Sequence, residues 1–558
     1  MRGGMMRVPL SLPALLERAA TVSADKDVVS ARVGGVERTP WRTVRDRAWA
    51  LAGALPALGM RPGDRVASFA WNTREHLELY FGVPAARAVL LTVNVRLSPS
   101  QARTILAHAD VRAVFADRES VPLVEEATAS RGVTVPKVVL EGPAPDGWSA
   151  YEALLSAGQG HVPGFDADED EAVALCYTSG TTGEPKGVLY SHRALVLHAL
   201  GISLPDGFGL GERDVVLPAV PMFHANAWGL PHAAAMAGAG LVLPGVRPGP
   251  GLLCDLLARE GVTFAAGVPT VWMGVLDELR AGPRALRTEL RIHSGGASTP
   301  PGLLEAYRTE LGVEILTGWG MTEISPVGMV AHPRADMRGA SAQDLLPVRT
   351  SQGTPLPLVD VRAVDDQGEV IPRDGVTPGE LEVRGPWVTG GYFRADCPDA
   401  FRDGWLRTGD VATIDARGYV RLVDRTKDLI RSGGEWISSV QLEHALMDHP
   451  DVAEAVVVAV PDARWQERPW ACVVPRQGTE IDAEALLAPL RGRFPRWWIP
   501  DRVVLVDAIP RTATGKFDKR TLRARMGERA RGAGTGGTDA VDAHAAAAGA
   551  GEGRPPDA

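Results

Sequence analysis

The most informative feature of the sequence is a loop rich in glycine and hydroxyl side chains that is closed by a lysine. It reads Tyr177-Thr178-Ser179-Gly180-Thr181-Thr182-Gly183-Glu184-Pro185-Lys186-Gly187. Residues 172–177 before it and 188–190 after it form apolar runs typical of buried strands. A flexible surface turn would use the same residue types, but the flanking runs favour a loop held between two strands.

The residue types of this loop suit a polyphosphate. Glycine lets backbone N–H groups approach an anion without a Cβ in the way. Serine and threonine hydroxyls can bond phosphate oxygens or a magnesium ion, and Lys186 adds a positive charge. The spacing differs from G-x-x-x-x-G-K-[ST], because the sixth position counted from Gly180 is Pro185. A Walker-type NTPase is therefore disfavoured.

Size and composition limit the classes of function. The chain has 558 residues with 45% hydrophobic and 23% charged residues, typical of a globular protein with about three domain-sized units. A net charge of −9 argues against a nucleic-acid partner. The isolated cysteines disfavour disulfides and zinc and favour a cytoplasmic location. The sequence has no uninterrupted apolar run of about eighteen residues and therefore predicts no transmembrane segment. Peripheral membrane contact stays an open alternative.

Helical and strand periods alternate along the first half of the chain, which predicts parallel α/β layers. The pattern predicts helices over 41–58, 73–88 and 225–238, and strands over 65–70, 89–95, 214–220, 240–243 and 262–267. Short alternating strands over 359–424 predict a small β-rich subdomain, and the residues after it predict a compact α+β domain.

Six further motifs follow the loop in order. They are Pro221-Met222-Phe223-His224-Ala225-Asn226-Ala227-Trp228, Gly318-Trp319-Gly320-Met321-Thr322-Glu323, Trp405-Leu406-Arg407-Thr408-Gly409-Asp410, Asp424-Arg425-Thr426-Lys427-Asp428-Leu429, Ser432-Gly433-Gly434-Glu435-Trp436-Ile437-Ser438 and Pro510-Arg511-Thr512-Ala513-Thr514-Gly515-Lys516. Together with the loop they closely resemble the adenylate-forming superfamily of acyl-CoA synthetases, luciferases and nonribosomal peptide adenylation domains. The first and fifth motifs look most like those of medium- and long-chain fatty acyl-CoA synthetases.

The resemblance implies a reaction and a domain plan. A carboxylate would attack the α-phosphorus of MgATP to give acyl-AMP and pyrophosphate, and the thiol of coenzyme A would then displace AMP. Residues 1–423 would form the AMP- and acyl-binding domain, 424–429 a hinge, and 430–528 a small mobile lid domain. Residues 529–558, rich in Ala and Gly, are predicted to be a disordered tail. Similar long-chain enzymes also imply a homodimer.

The resemblance assigns roles at the nucleotide. Thr178 and Glu323 would hold magnesium through hard oxygen ligands, Thr322 would bond the α-phosphate, and Trp319 would stack on adenine where many relatives have tyrosine. Asp410 would bind the ribose hydroxyls. The other nucleotide residues implied are Ser179, Gly180, Thr181, Thr182, Gly183, Lys186, Gly295, Gly296, Ala297, Gly318, Gly320 and Arg425. A surface carboxylate at Glu323, a core tryptophan and a turn-capping aspartate are the alternatives.

The remaining roles concern the acid, the hinge and coenzyme A. Lys516 would stabilise the charge that develops in the first half-reaction, although the sequence around it would also suit an exposed lysine. Lys427 would be the hinge residue. Gly433 and Gly434 would border the pantetheine, Trp436 would contact nucleotide or coenzyme, and Arg431 would replace the lysine usual in fatty-acid enzymes. His224 and Trp228 would gate the acyl tunnel, or be ordinary wall residues.

Three rival functions stay open. One keeps the chemistry but takes a short branched, thioether or aryl acid. Another is an acyl-AMP ligase that loads a carrier protein, which the Gly433-Gly434-Glu435-Trp436 motif disfavours. The last is a non-enzymatic binding module. Acyl chain length does not follow from the sequence, because it depends on the volumes of scattered pocket residues.

Overall fold

The computed structural model describes residues 3–129, 135–178, 185–433, 435–512, 517–532 and 541–542. The α-helices, numbered in chain order, are α1 (Leu12–Val22), α2 (Trp41–Ala54), α3 (Arg74–Ala85), α4 (Pro99–His108), α5 (Val121–Thr128), α6 (Tyr151–Ala157), α7 (His192–Ser203), α8 (Leu230–Ala237), α9 (Pro250–Arg259), α10 (Pro269–Ala281), α11 (Pro301–Ala306), α12 (Ala342–Arg349), α13 (Ser439–Met447), α14 (Ala483–Arg493) and α15 (Lys519–Gly532). Single turns of 3-10 helix lie at Leu55–Leu58, Arg118–Ser120, Thr322–Ile324, Ala335–Met337, Pro398–Ala400 and Arg496–Trp498, and a π-helical turn at Tyr307–Leu311.

The strands carry most of the architecture. In chain order they are β1 (Asp27–Arg32), β2 (Gly35–Pro40), β3 (Arg65–Phe69), β4 (Val89–Thr92), β5 (Val111–Ala116), β6 (Lys137–Val139), β7 (Ser149–Ala150), β8 (Ala172–Tyr177), β9 (Gly187–Ser191), β10 (Val215–Pro218), β11 (Gly240–Leu243), β12 (Phe264–Gly267), β13 (Arg291–Ser294), β14 (Glu314–Gly320), β15 (Val327–Val330), β16 (Thr354–Pro355), β17 (Asp360–Val364), β18 (Gly379–Arg384), β19 (Phe401–Arg402), β20 (Trp405–Ile414), β21 (Val420–Arg425), β22 (Ile430–Ser432), β23 (Glu435–Ile437), β24 (Val452–Asp462), β25 (Gln466–Pro475), β26 (Arg502–Leu505) and β27 (Val541–Asp542).

Two largely parallel sheets build the large domain. The first has the strand order β7-β6-β5-β3-β4-β8-β9, with β9 antiparallel to β8. The second has the order β16-β15-β14-β13-β12-β10-β11-β1-β2 and is parallel from β14 to β1. The largest apolar core contains side chains from both sheets and from α1, α2, α3, α7 and α8. The predicted α/β fold class is confirmed.

Local sequence signals account for several helix starts. The side chain of Thr73 accepts a hydrogen bond from the backbone N–H of His76 at 3.4 Å and caps α3. Ser98 and Gln101 form a reciprocal capping box at the start of α4. Such caps satisfy backbone donors that have no partner inside the helix. They explain why these helices begin where the apolar periodicity does.

The β-rich subdomain is antiparallel, in agreement with the predicted short strands. Its strand order is β17-β18-β20-β19, and β21 pairs with β20. In the β20–β21 register Asp410 lies opposite Arg425. The subdomain therefore delivers the end of β21, where the predicted hinge begins, next to the Arg-Thr-Gly-Asp motif.

The small domain has one sheet with helices on both faces. The strands run β23-β22-β25-β26-β27, with β24 paired to β25. Helices α13 and α14 contribute Leu442 and Leu486 to one apolar cluster, and α15 contributes Leu522 and Met526 to the other. Helix α15 continues to Gly532 and β27 pairs with β26, so regular structure extends past residue 528. Within the described ranges, no helix is long and apolar enough to cross a membrane.

The helix predicted over 225–238 is wrong in its first part. Ala225, Asn226, Ala227 and Trp228 have φ values of 43°, 53°, 47° and 57°, which places them in the left-handed region. Gly229 follows at φ 76°, and the right-handed helix α8 begins only at Leu230. Because the turn has the opposite hand, residues 225–229 do not form the right-handed helix that the pattern predicted. Helical periodicity alone cannot distinguish the two hands.

Candidate active site

The two ends of the glycine-rich loop are held together. The backbone N–H of Thr178 donates to the carbonyl of Lys186 at 2.9 Å. The Lys186 N–H lies 3.4 Å from the Thr178 hydroxyl oxygen. These contacts extend the β8–β9 pairing by one residue on each strand. The loop therefore begins at the carboxyl end of β8, the edge at which open α/β sheets bind ligands.

A tyrosine joins Lys186 to Glu323. The hydroxyl of Tyr392 donates to Glu323 Oε1 at 2.8 Å, and the Lys186 ammonium lies 4.8 Å from the centre of the Tyr392 ring. Glu323 is buried just after β14, and burial raises the pKa of its carboxyl. The Tyr392 hydrogen bond and the charges of Arg425 and Lys186 oppose this rise in pKa. The predicted surface carboxylate alternative for Glu323 is wrong, because the side chain is enclosed.

Trp319, Asp410 and Arg425 form a second polar cluster. The indole N–H of Trp319 donates to Asp410 Oδ2 at 2.7 Å, and Arg425 Nε lies 3.0 Å from Asp410 Oδ1. Asp410 is buried, whereas Arg425 is exposed. The charge of Asp410 raises the pKa of Arg425. Trp319 thus donates a hydrogen bond to one oxygen of a buried carboxylate, while the other oxygen is ion-paired with Arg425 and has no hydrogen-bond donor among the described residues.

The backbone around Thr322 is fixed by a second tyrosine. The Tyr190 hydroxyl, on β9, donates to the carbonyl of Thr322 at 2.7 Å. The Thr389 N–H donates to the carbonyl of Glu323 at 2.7 Å. Gly318 and Gly320 flank Trp319 on β14, and a Cβ at either glycine would lie within 2.6 Å of neighbouring atoms. The strand end that carries Thr322 and Glu323 is therefore closely packed and accepts little change.

Trp228 packs against the glycine turn after β13. A Cβ added to Gly295 would lie 3.4 Å from Trp228 Cη2 and 3.4 Å from His293 Nε2. The Trp228 and His293 rings meet edge to face at 5.6 Å, and His293 lies 4.6 Å from the ring centre of Phe208. Gly296 and Ala297 follow at the more exposed end of this turn. The structure thus joins the predicted gate residue Trp228 to the predicted pocket residue Gly295 in one aromatic wall, while His224 is half-buried before the left-handed turn.

The hinge motif lies against the Arg-Thr-Gly-Asp motif. The backbone N–H of Thr426 donates to the carbonyl of Gly409 at 3.0 Å. Burial lowers the pKa of Lys427 below its usual range. Beyond the hinge, the Arg431 guanidinium lies 4.3 Å from the centre of the exposed Trp436 ring. Gly433 has φ 63° and borders Trp465, so a Cβ there would meet the Trp465 ring at 2.8 Å.

Several predicted residues lie outside the described ranges. They are Ser179, Gly180, Thr181, Thr182, Gly183, Gly434 and Lys516. Their roles stay predictions from the sequence.

Tyr392 and Tyr190 are the site residues that the sequence analysis missed. Both act through a single hydroxyl, and neither belongs to the seven motifs. The Gly390-Gly391 pair directly before Tyr392 was the available signal for a specialised turn. No local signal marks Tyr190, because it reads as an ordinary strand residue.

Comparisons with known proteins identify the family to which the chain belongs. Residues 16–393 match the family described as AMP-binding enzyme, and residues 441–516 match the AMP-binding enzyme C-terminal domain. The chain belongs to the AMP-binding enzyme family, which confirms the resemblance inferred from the motifs.

Individual relatives cover nearly the whole chain. A long-chain-fatty-acid–CoA ligase of Thermus thermophilus is 47% identical over 93% of this chain and 96% of its own length. A 3-methylmercaptopropionyl-CoA ligase of Ruegeria pomeroyi is 44% identical over 94% of this chain and 99% of its own length. The crystal structure of an anthranilate CoA ligase in complex with anthranoyl-AMP superposes with a TM-score of 0.85 over 95% of this chain and 100% of that one, at 24% identity. That structural likeness supports the fold alone.

Proposed function

We propose that this protein is an ATP-dependent fatty acid:CoA ligase that forms an acyl-AMP and then an acyl-CoA. The observation that carries the proposal is the convergence of two buried carboxylates, Glu323 and Asp410, around the carboxyl end of β14. Each is held by an aromatic donor, Tyr392 or Trp319. The 47% identical relative, named as a long-chain-fatty-acid–CoA ligase, supports the same reaction.

The charges at the site suit attack of one anion on another. Such a reaction needs charge neutralisation and positioning more than an acid or a base. Asp410 would accept hydrogen bonds from the ribose hydroxyls, and Trp319 would both orient Asp410 and cover the adenine. Lys186 and the loop that it closes would bind the phosphates of ATP. Lys516 would stabilise the charge between the carboxylate and the α-phosphate.

The donor set fits a magnesium ion. Glu323 and the Thr178 hydroxyl are hard oxygen donors, and burial of Glu323 disfavours its charge unless a cation lies nearby. Within the described residues, no cluster of three or more His, Cys, Asp or Glu side chains could form a metal site made of protein ligands alone. This suits Mg²⁺, which is usually held by one or two protein oxygens together with phosphate and water. Bound there, the ion would neutralise phosphate charge.

A short thioether acid is the second candidate substrate. The 44% identical relative is named as a 3-methylmercaptopropionyl-CoA ligase. The wall formed by Trp228, His293 and Phe208 beside Gly295 would limit the length of an acyl chain that enters from the nucleotide site. A long chain would require this wall to open.

A panel of acids tests both candidates. The assay measures AMP release with MgATP, CoA and one acid at a time: saturated fatty acids from two to sixteen carbons, 3-methylmercaptopropionate and aryl acids. These chain lengths span about the range over which an apolar pocket can discriminate. Preference for medium or long chains supports the fatty-acid proposal, and preference for short or aryl acids overturns it. AMP release that requires a carrier protein instead of CoA would favour the carrier-loading alternative.

We also propose a cytoplasmic, homodimeric enzyme of lipid metabolism. The isolated cysteines support the location, since cytoplasmic thiols stay reduced. Light scattering of the purified protein would test the dimer, and a monomeric mass at working concentration would contradict it.

A further inference from the structure

A chain of buried polar side chains crosses the proposed hinge. Asp424 lies on β21, three residues before Lys427, and is 5% exposed. Its Oδ2 accepts hydrogen bonds from the backbone N–H of Ser439, at 2.8 Å, and from the Ser439 hydroxyl. Ser439 is the first residue of α13 in the small domain and is fully buried. This contact therefore joins the two sides of the hinge.

This series of polar contacts continues to a lysine on α15, which packs in a different apolar cluster from α13. Lys519, at the start of α15, donates to the Ser439 hydroxyl oxygen at 2.7 Å and pairs with Glu443 Oε1 at 2.7 Å. The same Glu443 oxygen accepts the backbone N–H of Val457 at 2.9 Å. The side chains of Lys519 and Glu443 are only 14% and 9% exposed. Asp424, Ser439, Lys519 and Glu443 are called the hinge chain below.

The location of the hinge chain points to a role beyond packing. A buried ion pair is weak evidence for stability, because desolvation offsets much of the attraction. Apolar residues of similar size would fill the same space between α13, β24 and α15. Such apolar residues would not link Asp424 to α15 through directional hydrogen bonds. Lys519 also lies three residues after Lys516 in the sequence.

A second contact supports the same link. Arg523, one helical turn after Lys519, donates to Asp428 Oδ1 at 3.0 Å. Helix α15 is therefore tied to residues on both sides of Lys427, through Ser439 to Asp424 and directly to Asp428.

We propose that the hinge chain positions the small domain relative to β21 and thereby sets the relative rates of the two half-reactions. This inference rests on the proposed function, because it concerns the balance between the two half-reactions. Lys519, Glu443, Ser439 and Asp424 are positioning residues, since they act through the domain orientation and touch no reacting atom.

The first test variant interrupts the hinge chain by removing a single hydroxyl group. Ser439→Ala removes the hydroxyl that links Asp424 to Lys519 but leaves the Lys519–Glu443 pair intact. Asp424→Asn is the second variant, alone and combined with Ser439→Ala. Glu484→Gln is the matched control, because it removes a solvent-exposed ion pair with Arg491 in the same domain.

Two readouts separate positioning from folding. The first is the ratio of ATP–pyrophosphate exchange to thioester formation from supplied acyl-AMP, measured below the melting temperature of each variant. We expect Ser439→Ala to change this ratio by about tenfold, the equilibrium effect of one hydrogen bond to a charged group. The ratio in the double variant should differ little from that in either single variant, because both substitutions break the same hinge chain. Glu484→Gln should leave the ratio unchanged.

The second readout is independent of activity. Spin labels on cysteines at the exposed positions Val376 and Leu505, in a Cys397→Ser background, report the distance between the domains in the full-length protein. Ser439→Ala should enlarge a second distance population at least about threefold. An unchanged ratio and an unchanged distance distribution, with only a lower melting temperature, would overturn the proposal. Wild-type protein that forms no acyl-AMP from any acid would instead overturn the proposed function, while the distance measurement would still decide the role of the hinge chain.

Discussion

Asp410 illustrates at the scale of one residue how the fold prepares a carboxylate for a ligand. Trp319 on β14 donates a hydrogen bond to one of its oxygens, and Arg425 on β21, a strand of a different sheet, forms an ion pair with the other. Because the carboxylate is buried, its charge interacts strongly with groups that reach it. A ribose would meet an acceptor that is already oriented, which lowers the entropic cost of binding.

Replacing Trp319 with phenylalanine tests that orientation. Trp319→Phe keeps an aromatic face but removes the indole N–H donated to Asp410. We expect the KM for ATP to rise about tenfold, since hydrogen bonds to charged groups contribute about 1.5–3 kcal/mol. ATP–pyrophosphate exchange measures this change. Trp41→Phe is the control. It also removes an indole N–H donor, in this case to the carbonyl of Ala239, and Trp41 belongs to none of the seven motifs. An equal rise in KM in both variants would contradict the assignment.

The hydrogen bond from Tyr392 should be visible in the pH dependence. In its proposed role Glu323 must be ionised to hold a cation, so we expect activity to fall as the pH drops through the pKa of Glu323. Tyr392 lowers that pKa, against the rise caused by burial. Tyr392→Phe removes the lowering contribution and should move the acidic limb of the pH–rate profile to higher pH at subsaturating Mg²⁺. Tyr419→Phe, which loses a hydroxyl bond to the carbonyl of His332, should leave the limb in place. A shift of the limb to lower pH in Tyr392→Phe would exclude this role.

Single residues were predictable from the sequence where they belong to a contiguous motif. Glu323 and Asp410 stand in Gly-Trp-Gly-Met-Thr-Glu and Arg-Thr-Gly-Asp, and those frames marked them as site residues, while their roles stay predictions. Tyr392 and Tyr190 were not predictable, because each acts through one hydroxyl that only the fold brings to its acceptor. The contact between Trp319 and Asp410 was equally hidden, since the sequence implied separate roles for them.

The left-handed turn at 225–229 is the element that the sequence most misrepresented. Apolar residues at helical spacing favoured a right-handed helix, and alanine is the best helix former. Each residue of a left-handed turn costs roughly 1–2 kcal/mol relative to the right-handed form. Backbone strain of this kind persists only where the surroundings impose it and often marks a functional site. Here the turn places the Trp228 ring edge against His293.

A pair of alanine-to-glycine variants tests the hand of this turn. Ala234→Gly, in the right-handed helix α8, should lower the free energy of unfolding by about 2 kcal/mol, from the lower helix propensity of glycine and the loss of one buried methyl group. Ala227→Gly should change it by less than about half of that, because relief of left-handed strain offsets the added freedom of the unfolded chain. Both alanines are fully buried, so each loses one buried methyl group. Urea unfolding monitored by tryptophan fluorescence measures the difference. Equal destabilisation by the two variants would contradict the left-handed conformation.

The two domains are joined by contacts between residues that lie far apart in the sequence. The family resemblance implied a hinge at 424–429, and the pattern of helices and strands after Asp424 indicated a separate α+β domain. The sequence could not indicate how the domains are joined. Asp424 and Lys519 are 95 residues apart in the sequence (519 minus 424), and one buried serine hydroxyl connects them. Contacts of this kind depend on tertiary packing and leave no periodic pattern.

Lys516 offers the sharpest test of a two-step enzyme. If the small domain delivers Lys516 only for the first half-reaction, Lys516→Ala should reduce ATP–pyrophosphate exchange by about 10²-fold or more, the usual effect of losing one preorganised charge-stabilising group. Thioester formation from supplied acyl-AMP and CoA should change by less than about threefold, because the carboxylate is already activated as a mixed anhydride in that substrate and no attack on phosphorus remains. Arg520→Ala is the matched control, since it removes an exposed positive charge four residues away. Equal loss of both half-reactions in Lys516→Ala would show that the lysine supports the fold or binds a group common to both steps, and the division of labour between two domain orientations would then fail.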